Sequence, residues 1–430
     1  MPSSNLSTQD LPEILYSRLG RNAREGASVI TRLMAEALSR PQMLSLAAGF
    51  TDNRVLPGDL VEEAVRALAG SGGNAHLQYG MNVGRPGLRR CIAQLLRGYP
   101  GENGLDLDEE KFLVTNGSQQ ALYILVQMFC NPGDIVLVES PSYFVFLELL
   151  KGLGVRAVPM PADGEGRIDL PGLEELLARL RRSGEGDRIR LMYLMGAFAN
   201  PSTRCIGEEE KAGLARILDR LERPVPVIED MAYRELYFDD PYPARSLLSL
   251  EAWRDYPVFY LGTFTKPFAT GLKTGFIASR ATESLRVFAR IKGHQDFGSA
   301  HFNQAILQYI LEAGAYEAHL RDIRKHYREK CRLLETALRE NGLYEARWTW
   351  QSPQGGLLLW AGADEKMDTR MGSPFHKACL EKEILYVPGD LCFAGEAPSH
   401  FVRLSFGALD RDLIPEAARR FCEAARAVSP

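Results

Sequence analysis

Between residues 111 and 278 the chain repeats one pattern: a short apolar run, a turn, then a stretch with helical spacing. The apolar runs fall at 112–115, 135–138, 155–158, 189–194, 225–228, 258–261 and 275–278. Short runs with little polar alternation read as strands buried on both faces, and strands alternating with helices build a mainly parallel sheet. The expected centre is therefore α/β, a sheet of seven strands between helices. Ahead of it, Ile30, Leu33, Met34, Ala37 and Leu38 give 28–38 a helical apolar face that Pro41 ends. Segments 58–69 and 87–96 are amphipathic in the same way, and residues 1–26 read as a loose arm or short helix. A long helical pattern then covers 316–341. Strands are expected at 355–360, 384–387 and 401–405, and helices at 375–382 and 413–428. This last part is α+β, which places a domain boundary near 320.

Composition acts mainly by exclusion. At 430 residues, with 45% hydrophobic and 25% charged content, the chain can bury a large core and form more than one globular domain. A net charge of -4 gives no electrostatic basis for binding nucleic acid or an anionic membrane. Arg179, Arg181 and Arg182 lie among acids and read as a solvated helix face. No apolar run approaches the ~18 residues of a membrane span, and residues 1–10 lack the apolar core of a signal peptide. Seven scattered cysteines without a Cys-x-x-Cys pair argue against a disulfide framework or a zinc site, and for a reducing, cytoplasmic compartment. The histidines show no metal-ligand spacing, so no metal is expected; His319 and His326, on a charged helix, read as solvated.

The candidate chemistry gathers around Lys266, in Thr263-Phe264-Thr265-Lys266-Pro267, with a second cation at Lys273. Upstream, Glu229-Asp230 closes an apolar run and Tyr233 follows three residues later. An amine, a carboxylate and a phenol in this order, with hydroxyls and a cation nearby, suit pyridoxal phosphate (PLP). The lysine would form the Schiff base. Asp230 would keep the pyridine nitrogen protonated, and the hydroxyls and Lys273 would hold the phosphate. Other motifs admit two readings. Gly117-Ser118-Gln119 opens a helix directly after a strand, either as a phosphate seat or with Ser118 as a plain N-cap. Tyr143 follows the strand at 135–138, where an aromatic stacks on a ligand ring or joins the core. Asn200-Pro201 is a donor to a phenolate or an ordinary turn. Arg403, inside an apolar strand, grips a carboxylate or faces outward.

Taken together, these residues resemble the fold-type I PLP enzymes of the class I/II aminotransferases, and within them the kynurenine/α-aminoadipate branch. Leu46-Ala47-Ala48-Gly49-Phe50, Tyr79-Gly80, Pro353-Gln354-Gly355-Gly356 and Val387-Pro388-Gly389 fit the same pattern, so the resemblance runs from about residue 27 to the C-terminus. It implies an N-terminal arm with part of a small domain at 1–55, a large PLP-binding domain at 56–320 and the rest of the small α+β domain at 321–430. It also implies roles. Lys266 is the Schiff-base lysine and proton shuttle; Asp230 pairs with the pyridine nitrogen. Tyr233 and Asn200 bind O3′, and Tyr143 stacks on the ring. Ser118, Gln119, Thr263, Thr265 and Lys273 bind phosphate, and Tyr79 reaches the phosphate of the other subunit of a homodimer. Arg403, Asn200 and the Gly49 backbone hold the substrate α-carboxylate.

Three departures stand out. Lys273 replaces the usual Arg and loses its fork. Threonines replace serines at 263 and 265. Thr31, with Arg32 one place on, stands where aminoadipate-type relatives carry an Arg for a distal carboxylate. The expected reaction is ping-pong transfer from an aromatic or bulky apolar L-amino acid to a 2-oxo acid such as 2-oxoglutarate. A PLP-dependent lyase or cyclising synthase on the same scaffold stays open. A PLP-dependent sensor domain is a more distant alternative, because about 26 residues precede the matched region, fewer than the roughly 50 of a small domain.

Overall fold

The structure, a computed structural model, describes residues 15–25, 40, 42–70 and 73–428. The helix expected at 28–38, with Thr31 and Arg32, lies outside the described residues. In chain order the elements are α1 (Arg18–Glu25), β1 (Leu44–Ser45), α2 (Gly58–Gly70), α3 (Pro86–Arg97), β2 (Phe112–Thr115), α4 (Gly117–Phe129), β3 (Ile135–Val138), α5 (Phe144–Leu153) and β4 (Arg156–Pro159). They continue with α6 (Leu170–Arg182), β5 (Ile189–Met195), α7 (Glu208–Leu218), β6 (Val227–Asp230), β7 (Val258–Thr263), β8 (Gly275–Ala278), α8 (Thr282–Asp296), α9 (His301–Glu312) and α10 (Ala315–Glu340). The last part holds β9 (Thr349–Trp350), β10 (Leu358–Gly362), α11 (Pro374–Glu381), β11 (Ile384–Leu385), β12 (Val387–Pro388), β13 (Phe401–Ser405) and α12 (Ile414–Ala427).

Seven strands form the central sheet in the order β2-β8-β7-β6-β5-β3-β4. All neighbours run parallel except β8, which is antiparallel to both β2 and β7. Every residue of β2, β3, β6, β7 and β8 is buried. That is the physical reason these runs are apolar without alternation: helices cover both faces. The covering helices show complementary stripes. In α6, Leu173, Leu176, Leu177 and Leu180 form one buried face, each contributing roughly 1.5–3 kcal/mol on burial. The arginines 179, 181 and 182 stay exposed, and Asp169 caps the start by accepting from Gly172 N.

A smaller antiparallel sheet, β12-β13-β10-β9, is followed along the chain by α12, which packs with the long α10 and with α11. β1 pairs in parallel with β11, and Ser405 N donates to Leu46 O at 2.6 Å. The N-terminal strand is thereby tied to the smaller sheet before the chain runs on to the larger one.

Among the elements that differ from the sequence expectation, three have a plain structural cause. The strand at 225–228 begins two residues later, because Pro224 and Pro226 carry no N–H for a ladder, and so it includes Glu229 and Asp230. The strand at 355–360 starts at Leu358, since Gly356 takes φ +77° in the preceding turn. The strand at 384–387 is two short pieces, β11 and β12, that pair with different partners. The two helix histidines are half-buried rather than freely solvated. His319 sets its ring edge-on to Phe268, and His326 Nε2 lies 2.9 Å from the buried Asp52 carboxylate.

Candidate active site

The C-terminal ends of parallel strands leave backbone groups and loops converging on one side of a sheet, where open α/β folds bind ligands. Here β2 delivers Ser118 and Gln119 at the start of α4, β3 delivers Tyr143, and β5 delivers Asn200. From β6 come Asp230 and Tyr233, and from β7 Thr263, Thr265 and Lys266, with Lys273 just before β8. Gly49 arrives from the segment after β1 and Arg403 from β13. These twelve residues line one cavity of about 350 Å³. Size alone does not single it out. A cleft of about 780 Å³ beside the smaller sheet, lined by Trp350, Trp360, Phe393 and Phe401, has no lysine or histidine in its walls among the described residues.

Two glycines make the floor possible. Gly117 has φ +71°, and a Cβ on Gly275 would come within 2.9 Å of Gly117 Cα and Ser118 N. β8 and the turn before α4 can therefore touch, which sets Gly117, Ser118 and Gln119, the N-terminus of α4, in the cavity wall. Ser118 is not the helix cap. That position is Asn116, whose side chain makes no capping bond.

Lys266 Nζ donates to Gly49 O at 2.6 Å. Burial, with Arg403 and Lys273 as neighbouring cations, lowers its pKa to about 8. Asp230 is 3% exposed. Burial raises its pKa to about 6, against the opposing pull of Tyr193 OH at 3.0 Å and Ala232 N at 3.1 Å. Burial also lifts Tyr233 to about 12, opposed by Arg403 and by a hydrogen bond with Asn200. Arg403, 2% exposed, faces inward: Nη1 donates to Asn200 Oδ1 at 3.3 Å and Nη2 to Ala47 O at 2.6 Å. Its guanidinium lies 5.3 Å from the Phe144 ring centroid.

This donor set fits PLP. Thr265 Oγ1 is buried without a hydrogen-bond partner among the described residues, and a Cβ on Gly117 would sit 3.5 Å from it. A hydroxyl, helix N–H groups and Lys273 around one corner suit a phosphate. The buried Asp230 suits a protonated ring nitrogen, and the depressed Lys266 amine suits a carbonyl carbon.

Tyr79 does not line the cavity. The residue is 78% exposed, and its ring meets Phe297 edge-on at 5.7 Å. Sequence reasoning gave no role to Tyr193, which orients Asp230, because a tyrosine inside an apolar strand reads as core. It likewise passed over Phe50, Asn116 and Met195, which line the cavity beside motif residues.

Residues 41–421 match the family model described as aminotransferase class I and II. The 2-aminoadipate transaminase of Thermus thermophilus is 33% identical over 397 residues, 92% of each chain. Among solved structures, a kynurenine aminotransferase of Pyrococcus horikoshii superposes with a TM-score of 0.83 at 26% identity, covering 94% of this chain and 95% of that one. The α-aminoadipate aminotransferase of Thermus thermophilus, solved with N-(5'-phosphopyridoxyl)-L-leucine, gives 0.81 at 30% identity, covering 95% and 97%. The cavity and the matches agree: the chain belongs to the class I and II aminotransferases and is a PLP-dependent transaminase of the fold-type I group.

Proposed function

We propose that the enzyme takes its amino group from an aromatic or bulky apolar L-amino acid and delivers it to 2-oxoglutarate. The observation that carries this reading is the cavity wall. Phe50, Tyr143, Phe144, Val145 and Met195 line it, and among the described residues its cations are Lys266, Lys273 and Arg403. With both lysines committed to the cofactor, Arg403 is left for the α-carboxylate, and the side chain of the donor meets apolar surface. The phosphopyridoxyl-leucine bound by the Thermus relative is consistent with this choice.

In this reading Ser118, Gln119, Thr263, Thr265 and Lys273 hold the phosphate, Asp230 the ring nitrogen, Tyr233 and Asn200 the phenolic oxygen, and Tyr143 the ring face. Lys266 would hold the reactive carbon of the cofactor through its amine. Bound PLP supplies an electron sink for the pair left at Cα. Arg403 and Asn200 orient the α-carboxylate, and Gly49 O holds the Lys266 amine in place. Freed Lys266, an amine whose pKa burial lowers, takes the Cα proton, general acid–base work of about 10²–10⁴ in rate.

A homodimer belongs to the same proposal. Leu77, Tyr79, Met81 and Phe297 are exposed apolar side chains at 69%, 78%, 58% and 68%. A partner would cover them and receive Tyr79 at its own phosphate.

The test is a half-reaction screen. Holoenzyme is mixed with each amino acid, without an acceptor, and the 2-oxo acid, ammonia and cofactor absorbance are followed. Aromatic and bulky apolar donors should yield one 2-oxo acid per site and no ammonia, with 2-oxoglutarate restoring the starting spectrum. Fastest reaction with acidic donors, or release of ammonia, would sink the proposal.

A further inference from the structure

The C-terminus of α8 ends in a polar knot that meets the catalytic cavity at Asn116. Lys292 and Asp296, one helical turn apart, pair at 3.1 Å, and the Lys292 side chain is fully buried. Asp296 Oδ2 accepts from Asn116 Nδ2 at 3.1 Å, Gln120 Nε2 at 3.0 Å and Ser299 Oγ at 3.2 Å. Oδ1 accepts from Gly298 N at 3.1 Å and Lys292 Nζ at 3.1 Å. Gln120 passes the constraint on: its Oε1 accepts from Asn116 N at 2.9 Å. One carboxylate thus fixes the side chain of Asn116 directly and its backbone through Gln120. Asn116 is the residue that starts the Gly117-Ser118 turn.

The knot has a second anchor. Lys292 Nζ donates to Asn82 O at 3.1 Å. A Cβ on Gly298 would come within 2.8 Å of Gly80 O, and one on Gly293 within 2.4 Å of Asn82 Nδ2. The end of α8 therefore packs against both the turn before α4 and the segment that carries Tyr79.

A turn that presents N–H groups to an anion is effective only if its geometry is set before the anion arrives. We propose that Asp296 is a positioning residue for phosphate recognition: held by Lys292, it locks the Asn116-Gly117-Ser118 turn and ties it to segment 79–82. The inference rests on the reading that the PLP phosphate lies at Ser118, Gln119, Thr265 and Lys273. The site needs a carboxylate because every neighbour is a donor. A carboxylate is acceptor-only, whereas the amide of an Asn at 296 would turn an N–H₂ group towards other donors.

The test compares two ligands of the apo-protein, PLP and phosphate-free pyridoxal, by absorbance titration. Asp296→Asn should weaken PLP about tenfold, the lower end for a hydrogen bond to a charged group, and leave pyridoxal binding unchanged. Gln120→Met, which strands no buried charge, should do the same and carries the test if Asp296→Asn does not fold. Because both act through Asn116, the double variant should lose no more than the weaker-binding single variant. Thr265→Val is the control for the underlying reading. If it spares PLP, the phosphate lies elsewhere and the inference falls with that reading. If Thr265→Val weakens PLP while Asp296→Asn and Gln120→Met either spare it or weaken PLP and pyridoxal alike, the positioning role alone is overturned.

Discussion

At the scale of single residues, the same burial drives Lys266 and Asp230 in opposite pKa directions, because it disfavours whichever form is charged. Lys266 falls from 10.5 to about 8, so at neutral pH its free-base fraction is roughly a hundredfold or more above that of a solvated lysine. The sign follows directly: the amine attacks only when unprotonated, so PLP capture by apo-protein should accelerate as pH rises and level off above about 8. A stopped-flow pH series reads this, and a profile still climbing at pH 10 would contradict the burial argument. Lys266→Ala should keep the fold, bind PLP without the covalent link and lose turnover; normal activity in that variant would remove Lys266 from the mechanism. Lys266 and Asp230 were legible in the sequence because an amine, a carboxylate and a phenol in this order, beside hydroxyls and a second cation, suit one cofactor. Tyr193 was not, since its hydroxyl finds Asp230 only once β5 and β6 are paired, Met195 opposite Asp230.

At the scale of elements, β6 shows what a sequence pattern resolves and what it misses. An apolar run ending in Glu229-Asp230 announces a strand, but not that the two carboxylates serve different faces. Asp230 lines the cavity. Glu229 pairs with Lys211 at 2.7 Å, both side chains fully buried, and also accepts from Leu247 N at 2.9 Å. Nothing in the spacing of α7 marks Lys211 as buried, because its partner comes from a strand formed later in the chain. Lys211→Met would leave the buried Glu229 carboxyl without its cation, at a cost of roughly 3–5 kcal/mol. The exposed pair Arg66–Glu62 on α2 has side chains 79% and 61% exposed, so Arg66→Ala should leave stability almost unchanged. Denaturant unfolding of both variants decides it. Equal effects would mean that the buried pair is solvated in a way its geometry does not show.

At the scale of the whole molecule, the segment 44–52 joins what the two sheets do. Its start pairs with β11, Ala47 O accepts from Arg403, and Gly49 O accepts from Lys266. The far end is nailed down at Asp52, 1% exposed, whose Oδ2 lies 2.8 Å from Lys330 Nζ and 2.9 Å from His326 Nε2 on α10. These partners stand more than 270 positions away in sequence, which is why a helix with two histidines read as solvated. Burial pushes the Asp52 carboxyl up, but hydrogen bonds from Lys330, the Arg54 backbone and His326 outweigh it and hold the pKa below its ordinary value. A carboxylate depressed in the folded state contributes stability that is present above its unfolded pKa of about 3.9 and lost as pH falls through the folded value. Asp52→Asn should therefore lower stability by roughly 3 kcal/mol or more at neutral pH, where Lys330 loses its partner. The deficit relative to the parent should shrink as the pH is taken below 4. Because the same segment positions Lys266 and Arg403, the variant should also raise KM for the amino donor. Thermal unfolding across pH, together with KM at neutral pH, tests both halves. A loss of stability with KM unchanged would show that Gly49 and Ala47 keep their places without the Asp52 anchor.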